Sequence, residues 1–570
     1  MKRIVILDGY SDEPAGLGVP PYVDVYPRYV AGAVLSADPG VEIRYFTVDQ
    51  ARSNIDFFME IAGSADLVVF LASVVVPGKY IGGEPIRPEE IILWSRLLEK
   101  PVKVLGGVAA RYGMGYEGGA IAVPPERLAV NFDIVVKGDV EAVVYRLVKE
   151  RLHVEKVDPG ETRDYKLLDS WAVKGATIVA QHPNYGLNLI AEIETFRGCP
   201  RYIVGGCSFC VEPLRGEVEF RPVESIMSEV AALRQVGVRC FRLGRQPDFY
   251  AYMARYTGWI EFPRPNPEAI KKLMAGVKSA APDADVIHID NVNPGTVYHY
   301  PEESVRITKT IIEYHTPGDV AAFGVESADP RVIKLNNLKV MPDEAFQAIK
   351  ILNNVGGRRG WNGLPELLPG VNLLHGLIGE TRETYRLNYE FLKKVFEAGL
   401  MLRRINIRQV IPIPGTRMWT YGLKTMKQHK GVFRLYRDKI RKEIDVPMLK
   451  RVVPKGVILR RVFAEKRIGG RVIGRQVGTY PLQVRFLLEV ELLKFYDVLI
   501  VGHSARSVEG IPLPIDINRV SAKVLQTIPG VDKGIVMKII MSRPIKNSEQ
   551  LEALIGPRLA RFFKVSLPRS

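Results

Sequence analysis

From residue 3 to residue 411, short apolar runs of strand length alternate with stretches of helical periodicity, a rhythm that suits parallel sheets with helical crossovers and little else. Up to residue 165 the strand-like runs fall at 3–7, 41–48, 66–76, 102–108 and 133–136, with helical stretches at 26–37, 51–62, 88–98 and 140–150 between them. This predicts an N-terminal doubly wound parallel sheet, whose ligands sit at the carboxyl ends of the strands. Those ends fall near Asp8-Gly9-Tyr10, Ser73 and the turn Gly106-Gly107-Val108-Ala109. Glycines in such a turn fit either a ligand contact or a tight βα connection. From 185 to 420 the pattern repeats about six times, with strands at 189–195, 240–243, 286–290, 321–325, 371–376 and 405–411, and helices at 223–235, 267–280, 302–314, 342–354 and 383–398. That is the length and rhythm of a partial or complete α/β barrel, TIM-like, with its chemistry at the carboxyl ends of its strands.

The chain has 570 residues, 47% of them hydrophobic and 25% charged, which is globular composition for several domains and excludes a disordered or low-complexity chain. The longest apolar run, Leu67 to Val76, is too short for a membrane span, and the four apolar residues after Arg3 are too few for a signal-peptide core. The expectation is a cytoplasmic protein with no membrane partner. The net charge of +16 is localised: residues 421–570 hold 30 Lys and Arg against 12 Asp and Glu, so the remainder of the chain is close to neutral. A solvated basic face accounts for short runs of this kind; an excess this large is the footprint of a segment that meets phosphate backbones.

Four cysteines occur, and three of them, Cys199, Cys207 and Cys210, lie in one twelve-residue window just after the first predicted barrel strand. Four are too few for a secreted disulfide framework. A closed structural zinc site needs a fourth Cys or His, and none stands at the usual spacing. A redox Cys-x-x-Cys pair would leave Cys199 without a role. Three thiolates on a glycine-containing loop suit three irons of a 4Fe-4S cube with the fourth iron open. Cys240, on the second predicted barrel strand, reads as packing.

The segment Phe196-Arg-Gly-Cys199 to Phe209-Cys210 resembles the cluster loop of radical S-adenosylmethionine (SAM) enzymes, in particular the group that includes methylthiotransferases and proteins with an N-terminal cobalamin-binding-like domain. Seven residues separate Cys199 from Cys207 where the family commonly has three. Further resemblances follow in strand order. Gly244-Arg245-Gln246 stands at the position of the motif that holds the SAM amino group, without its acidic residue. Glu326 and Ser327 match the fourth-strand segment that meets the ribose or methionine end, Gly376 and Ile378 the fifth-strand segment, and Ile411-Pro412 the segment whose backbone reads adenine. The resemblance implies a 4Fe-4S cluster on Cys199, Cys207 and Cys210, SAM as co-substrate, a 5′-deoxyadenosyl radical, and an electron donor such as a ferredoxin or flavodoxin.

The first 165 residues lack the three additional cysteines that methylthiotransferases carry there, and residues 132–141 resemble the end of a cobalamin-binding-like domain. All eight histidines lie at or beyond His153, so cobalamin would bind without a histidine ligand from this domain, or the domain has lost it. Residues 421–512 combine a basic helical stretch, 424–442, with short β-like runs, and Gly474-Arg475 through Tyr480-Pro481 resembles the TRAM domain, an RNA-binding β-barrel; a structural β-cap is the alternative. Aromatics among cations, such as Tyr480 beside Arg475, suit base stacking with phosphate neutralisation, or a small core. Residues 515–570 resemble tandem all-α helix-hairpin-helix units, with turns at Pro529-Gly530 and Gly556 that would grip phosphate or dock a protein.

The resulting expectation is four parts, 1–165, 185–420, 421–512 and 515–570, and a radical SAM enzyme that modifies a nucleic acid, tRNA or rRNA, held by its C-terminal domains. The alternatives are a radical SAM methylase of a protein or small molecule, with or without cobalamin, and a non-catalytic iron-sulfur or zinc protein that binds nucleic acid.

Overall fold

The computed structural model describes residues 2–11, 18–73 and 81–566. Strands β1 (Arg3–Asp8), β3 (Glu42–Thr47), β4 (Leu67–Leu71), β5 (Val102–Gly106) and β6 (Ile134–Val135) form one parallel sheet in the order β3-β1-β4-β5-β6, the doubly wound arrangement expected of the first part. β2 (Tyr22–Val23), between β1 and β3 in the chain, leaves this sheet for the next domain. The predicted helix 51–62 is two helices, because Asn54 ends Val48–Ser53 and its side chain caps the N-terminus of Ile55–Gly63 by accepting from the Phe57 N–H. The predicted strand 102–108 stops at Gly106: Gly107 adopts φ +87°, and a side chain there would run into the Ala72 carbonyl. Part of the predicted strand 66–76, residues 74–76, lies outside the described residues.

The second part is a six-stranded half-barrel, all parallel. β7 (Ile190–Glu194), β10 (Cys240–Gly244) and β11 (Val286–Ile289) pair in that order, and β12 (Asn291–Val292), β13 (Asp319–Glu326), β14 (Leu367–His375) and β15 (Arg404–Gln409) continue it. β11 and β12 are one strand interrupted at Asp290, whose carboxylate is drawn towards Arg242. A short ribbon, β8 (Phe196–Arg197) with β9 (Glu219–Phe220), closes the loop that carries the three clustered cysteines. β2 adds to the free edge of β7, with Tyr22 opposite Ile190 and Val23 opposite Ala191, so an edge that would otherwise expose unpaired backbone is covered by the N-terminal domain.

The two domains also share a buried ionic seam. Glu229 accepts from Arg28, Arg221 and Tyr29; Arg163 reaches both Glu141 and Glu194; Arg197 pairs with Asp139 at 2.5 Å. The helix Val25–Ala37 crosses Tyr165–Gly175 so closely that side chains at Gly32 or Gly175 would overlap the carbonyls of Trp171 or Arg28.

Beyond the half-barrel the helix Lys424–Ile440 leads to a closed five-stranded barrel of β16 (Ile458–Ile468), β17 (Arg471–Gln476), β18 (Gln483–Phe486), β19 (Phe495–His503) and β20 (Ser507–Leu513), in the order β16-β17-β18-β20-β19. β20 has no counterpart among the β-like runs expected there, 457–464, 471–477, 482–488 and 497–501. Two further strands, β21 (Ile515–Asp516) and β22 (Phe563–Lys564), pair around the helices Ala522–Leu525, Lys533–Met541, Ser548–Ile555 and Pro557–Ala560. This helical unit shares a core with the small barrel through Leu499, Val501 and Ile511.

Candidate active site

The cysteine loop leaves the carboxyl end of β7, the end at which parallel barrels do chemistry. Its additional residues are folded compactly. Pro200–Val204 forms a 3-10 turn in which Tyr202 donates to the Cys199 carbonyl at 2.9 Å, and Gly205 and Gly206, at φ +76° and +59°, reverse the chain back to Cys207. The long Cys199–Cys207 spacing is therefore absorbed by one turn rather than by an extended excursion.

Two consecutive asparagines after β13 pin this loop. Asn336 accepts from Ser208 Oγ at 2.7 Å and from the Ile378 N–H at 3.2 Å, and donates to the Ile378 carbonyl at 2.8 Å. Asn337 donates to the carbonyls of Val204 and Gly206 at 2.8 and 2.9 Å. The loop is thereby tied to the end of the β14 segment. Arg201 donates to Cys207 Sγ at 3.2 Å and also engages Glu261 and the Asn337 carbonyl.

The three thiols are near enough to influence one another. Burial pushes Cys199 up to about 12, with the Cys207 charge adding to the rise, and pushes Cys210 well above the ordinary thiol range, with Glu212, Cys207 and Cys199 adding. Lys339 lies beside them. Burial would lower its ammonium, but the charges of Cys207 and Glu326 outweigh that and hold it above its usual value. Among the described residues Lys339 has no hydrogen bond or ion pair; it reaches back towards Gly324, where a Cβ would overlap its Nζ and crowd Glu326 Oε1. Glu326 itself has φ +64°, an uncommon backbone state for a side-chain-bearing residue, and its carboxyl is raised by burial while Lys339 and Arg408 oppose the rise. Thiols, two cations and a carboxylate thus converge at the mouth of the half-barrel.

Residues 193–392 match the radical SAM superfamily. A protein of Methanocaldococcus jannaschii named only as uncharacterised is 44% identical over 515 residues, 89% of this chain and 93% of that one, and one of Archaeoglobus fulgidus is 39% identical over 566 residues, 99% of each. The chain belongs to the radical SAM superfamily. It is an enzyme whose cofactors are the superfamily's 4Fe-4S cluster and SAM. More distantly it is similar to a tRNA-2-methylthio-N(6)-dimethylallyladenosine synthase of Fervidobacterium nodosum, 23% identical over 40% of this chain and 46% of that one. Among solved structures, the cobalamin-dependent S-adenosylmethionine radical enzyme OxsB aligns with TM-score 0.47 at 12% identity, over 69% of this chain and 51% of that one.

In this radical SAM chain the residues expected to meet SAM divide into two groups. Ile378 packs with Cys207 of the cysteine loop, Glu326 lies beside Lys339, and Gly376, Ile411 and Pro412 follow β14 and β15 at the same end, where the Pro412 carbonyl accepts from Ala122 of the N-terminal domain at 3.1 Å. Gly376 donates to Glu380 at 2.7 Å, and Glu380 also holds His375 at 3.0 Å. Gln246 and Ser327 instead serve the scaffold: Gln246 accepts from Thr195 and donates to the Leu243 carbonyl, both at 3.0 Å, and Ser327 Oγ accepts from the Asp329 N–H at 3.2 Å. Gly244 is packed against Glu192 and Arg242, and Arg245, at φ +63°, lies over the Tyr26 ring and 3.6 Å from Asp24. Cys240 lies at the opposite end of β10, packed with Tyr22, Ile190 and Val286.

The residues expected to touch nucleic acid lie in two places, Arg475 and Tyr480 in the packed β17–β18 connection and Pro529, Gly530 and Gly556 at turns of the C-terminal helices. Arg475 is paired with Glu465 at 2.5 Å, and Tyr480 is packed under Arg404, 3.7 Å from guanidinium to ring centre, while donating to Asp290 at 3.1 Å. The neighbouring Thr479 N–H donates to His288 at 2.8 Å, and the Gly478 carbonyl accepts from Tyr22 at 3.1 Å. The β17–β18 connection therefore plugs the base of the half-barrel and offers no open face at Tyr480. Pro529 and Gly530 are exposed, but the helix that follows is capped by Asp532, which accepts from the Ile535 N–H at 2.8 Å. Gly556, at φ +80°, joins the last two helices. Arg201, Asn336, Asn337 and Lys339 were not singled out by the sequence; the only signal was a polar run, Asn336-Asn337-Leu338-Lys339, after the fourth-strand motif.

Proposed function

We propose that Cys199, Cys207 and Cys210 hold the 4Fe-4S cluster, and that the chain uses SAM-derived radical chemistry to modify RNA, tRNA or rRNA. The observation that supports the site assignment is the compact turn that takes up the long Cys199–Cys207 spacing beyond the carboxyl end of β7, with Arg201 on the Cys207 sulfur and Lys339 close to Cys207. The donor set fits: three thiolates, flanked by two cations that offset their charge. A cluster held there would supply the electron for reductive cleavage of SAM. Arg201 fixes the Cys207 sulfur by its hydrogen bond; Asn336 and Asn337 hold the loop still. Lys339 would offer its ammonium to the carboxylate of SAM, and Glu326 an acceptor to its hydroxyls or amino group. β2 covers the free edge of β7, and Tyr480 packs under Arg404 at the base of the half-barrel.

The RNA reading is supported by the concentration of positive charge in residues 421–570 and by the small closed barrel and helical unit built from them. A ferredoxin or flavodoxin is the proposed electron donor, and the cytoplasm the proposed compartment. The test is anaerobic reconstitution followed by quantitation of 5′-deoxyadenosine with and without bulk RNA from cells lacking the protein. Stimulation by RNA is expected; formation indifferent to RNA moves the substrate to a protein or small molecule, and none from a verified 4Fe-4S protein overturns the assignment.

One observation favours a second reading, a cobalamin-dependent methylase. A narrow cavity of about 20 Å³ lies between Gly107 and Gly138, at the carboxyl ends of β5 and β6, and Arg215 at the end of the cysteine loop. Cobalamin would have to part these surfaces, and its visible absorption on titration into the protein tests for it.

A further inference from the structure

A cavity lies well away from the cysteine loop. It measures about 210 Å³ and opens at the other end of the half-barrel, where the amino ends of β10 and β11 meet the small β-barrel. Cys240 lies in its wall, one strand length, roughly 13 Å at about 3.3 Å per residue, from the carboxyl end of β10.

The lining has three kinds of group. Trp361, 56% exposed, and Phe495, 42% exposed, give it aromatic walls. Arg460 and Arg461 bring guanidiniums; each gives one terminal nitrogen to a carboxylate, Arg460 to Asp497 at 3.1 Å and Arg461 to Asp285 at 2.6 Å, which leaves further N–H donors on both. Arg461 has φ +56° and its guanidinium stands 5.3 Å from the Phe495 ring centre, so the strand backbone is bent to present it. Gln476 completes the set. It is 93% buried, its amide N–H groups are used by the carbonyls of Asn362 and Arg460 at 2.9 Å, and its Oε1 has no partner. A buried acceptor left unsatisfied is costly unless a ligand donates to it.

Flat aromatic faces, guanidiniums and one orphaned amide acceptor together match a nucleotide: base against Trp361 and Phe495, an exocyclic amine or ring N–H to Gln476 Oε1, phosphate to Arg460 and Arg461. We infer that this cavity binds a single unpaired nucleotide of an RNA chain. The inference rests on the RNA reading above and deepens it. Because the cavity lies a strand length from the cysteine loop, the nucleotide held here anchors the RNA and is not the one that reacts.

The test uses the full-length reconstituted protein and a 20-nucleotide RNA of random sequence substituted with 4-thiouridine, irradiated and mapped by mass spectrometry, with anisotropy of the unsubstituted RNA alongside. Crosslinks are expected on the peptides carrying Trp361 or Phe495. Trp361→Ala and Arg460→Ala are each expected to weaken RNA binding about tenfold without changing RNA-independent cleavage of SAM. Binding with crosslinks confined elsewhere and unaltered variants would overturn the cavity assignment while the RNA reading stands. Absence of any RNA binding would overturn both. Trp361 is more than half exposed, so Trp361→Ala is expected to fold, which an unchanged thermal transition checks.

Discussion

Arg201 Nη1 lies 3.2 Å from Cys207 Sγ, and the same guanidinium holds the Asn337 carbonyl, so one side chain both charges the sulfur's surroundings and fixes its position. A donor aimed at a cluster sulfur stabilises the more negative, reduced state. Arg201→Met is therefore expected to shift the cluster potential in the negative direction by on the order of tens of mV, measured by anaerobic EPR-monitored titration, and to lower iron content after reconstitution. An unchanged potential at full iron loading would show that Arg201 acts on the loop alone.

Lys339 stands beside Cys207 and Glu326 with no hydrogen bond or ion pair among the described residues. Its removal in Lys339→Met is expected to weaken SAM binding about tenfold or more, the worth of one charge-assisted hydrogen bond, with a smaller effect on cluster assembly. Equilibrium binding of SAM to the oxidised holoprotein separates the two, and equal SAM affinity in the variant would remove Lys339 from the SAM contacts.

Glu229 receives Arg28, Arg221 and Tyr29 in a place closed to water. Deleting that carboxylate strands two buried guanidiniums. Glu229→Leu is expected to cost about 3–5 kcal/mol in denaturant unfolding; a loss below 1 kcal/mol would mean that the seam relaxes and admits water.

Asp8 illustrates the opposite economy, an acid kept neutral. Burial pushes its carboxyl up to about 7, against the opposing hydrogen bonds from Tyr45 and Tyr10. The native state thus holds a proton that the unfolded chain has released above pH 4. Stability from this group is complete at low pH and is lost as pH rises from about 4 through about 7. Asp8→Asn is expected to flatten that part of the pH–stability profile, read by thermal unfolding across the window.

Periodicity made most of the fold legible. The helices Val223–Gln235 and Pro267–Ala280 have the bounds that their apolar spacing predicts, because each buries one stripe against a parallel strand. What escaped were features whose cause lies far away in the chain. β2 is two residues long and exists because β7 has a free edge; β20 is interrupted by Gly510 and Pro512, and closure of the small barrel makes it a strand. At the site, the cysteine triplet is conspicuous because cysteine is otherwise almost absent, whereas Asn336 and Asn337 are ordinary residues until the loop they hold is seen. Tyr480 and Arg475 show the limit of a compositional signal: aromatics among cations describe an RNA-stacking face and an interdomain plug equally well.

That plug alters how the C-terminal third can be regarded. Tyr480 and its neighbours fill the floor of a reaction vessel whose walls come from other parts of the chain, and the covering of its first edge comes from the N-terminal domain. Cutting the chain near residue 421 would not free a minimal catalytic core; it would leave a vessel without a bottom, with Arg242, Glu192 and Asp290 opened to solvent. The same joint sets the span from the cysteine loop to the far cavity, so an RNA that engaged both, as proposed, would be gauged between them as an object is between the jaws of a caliper.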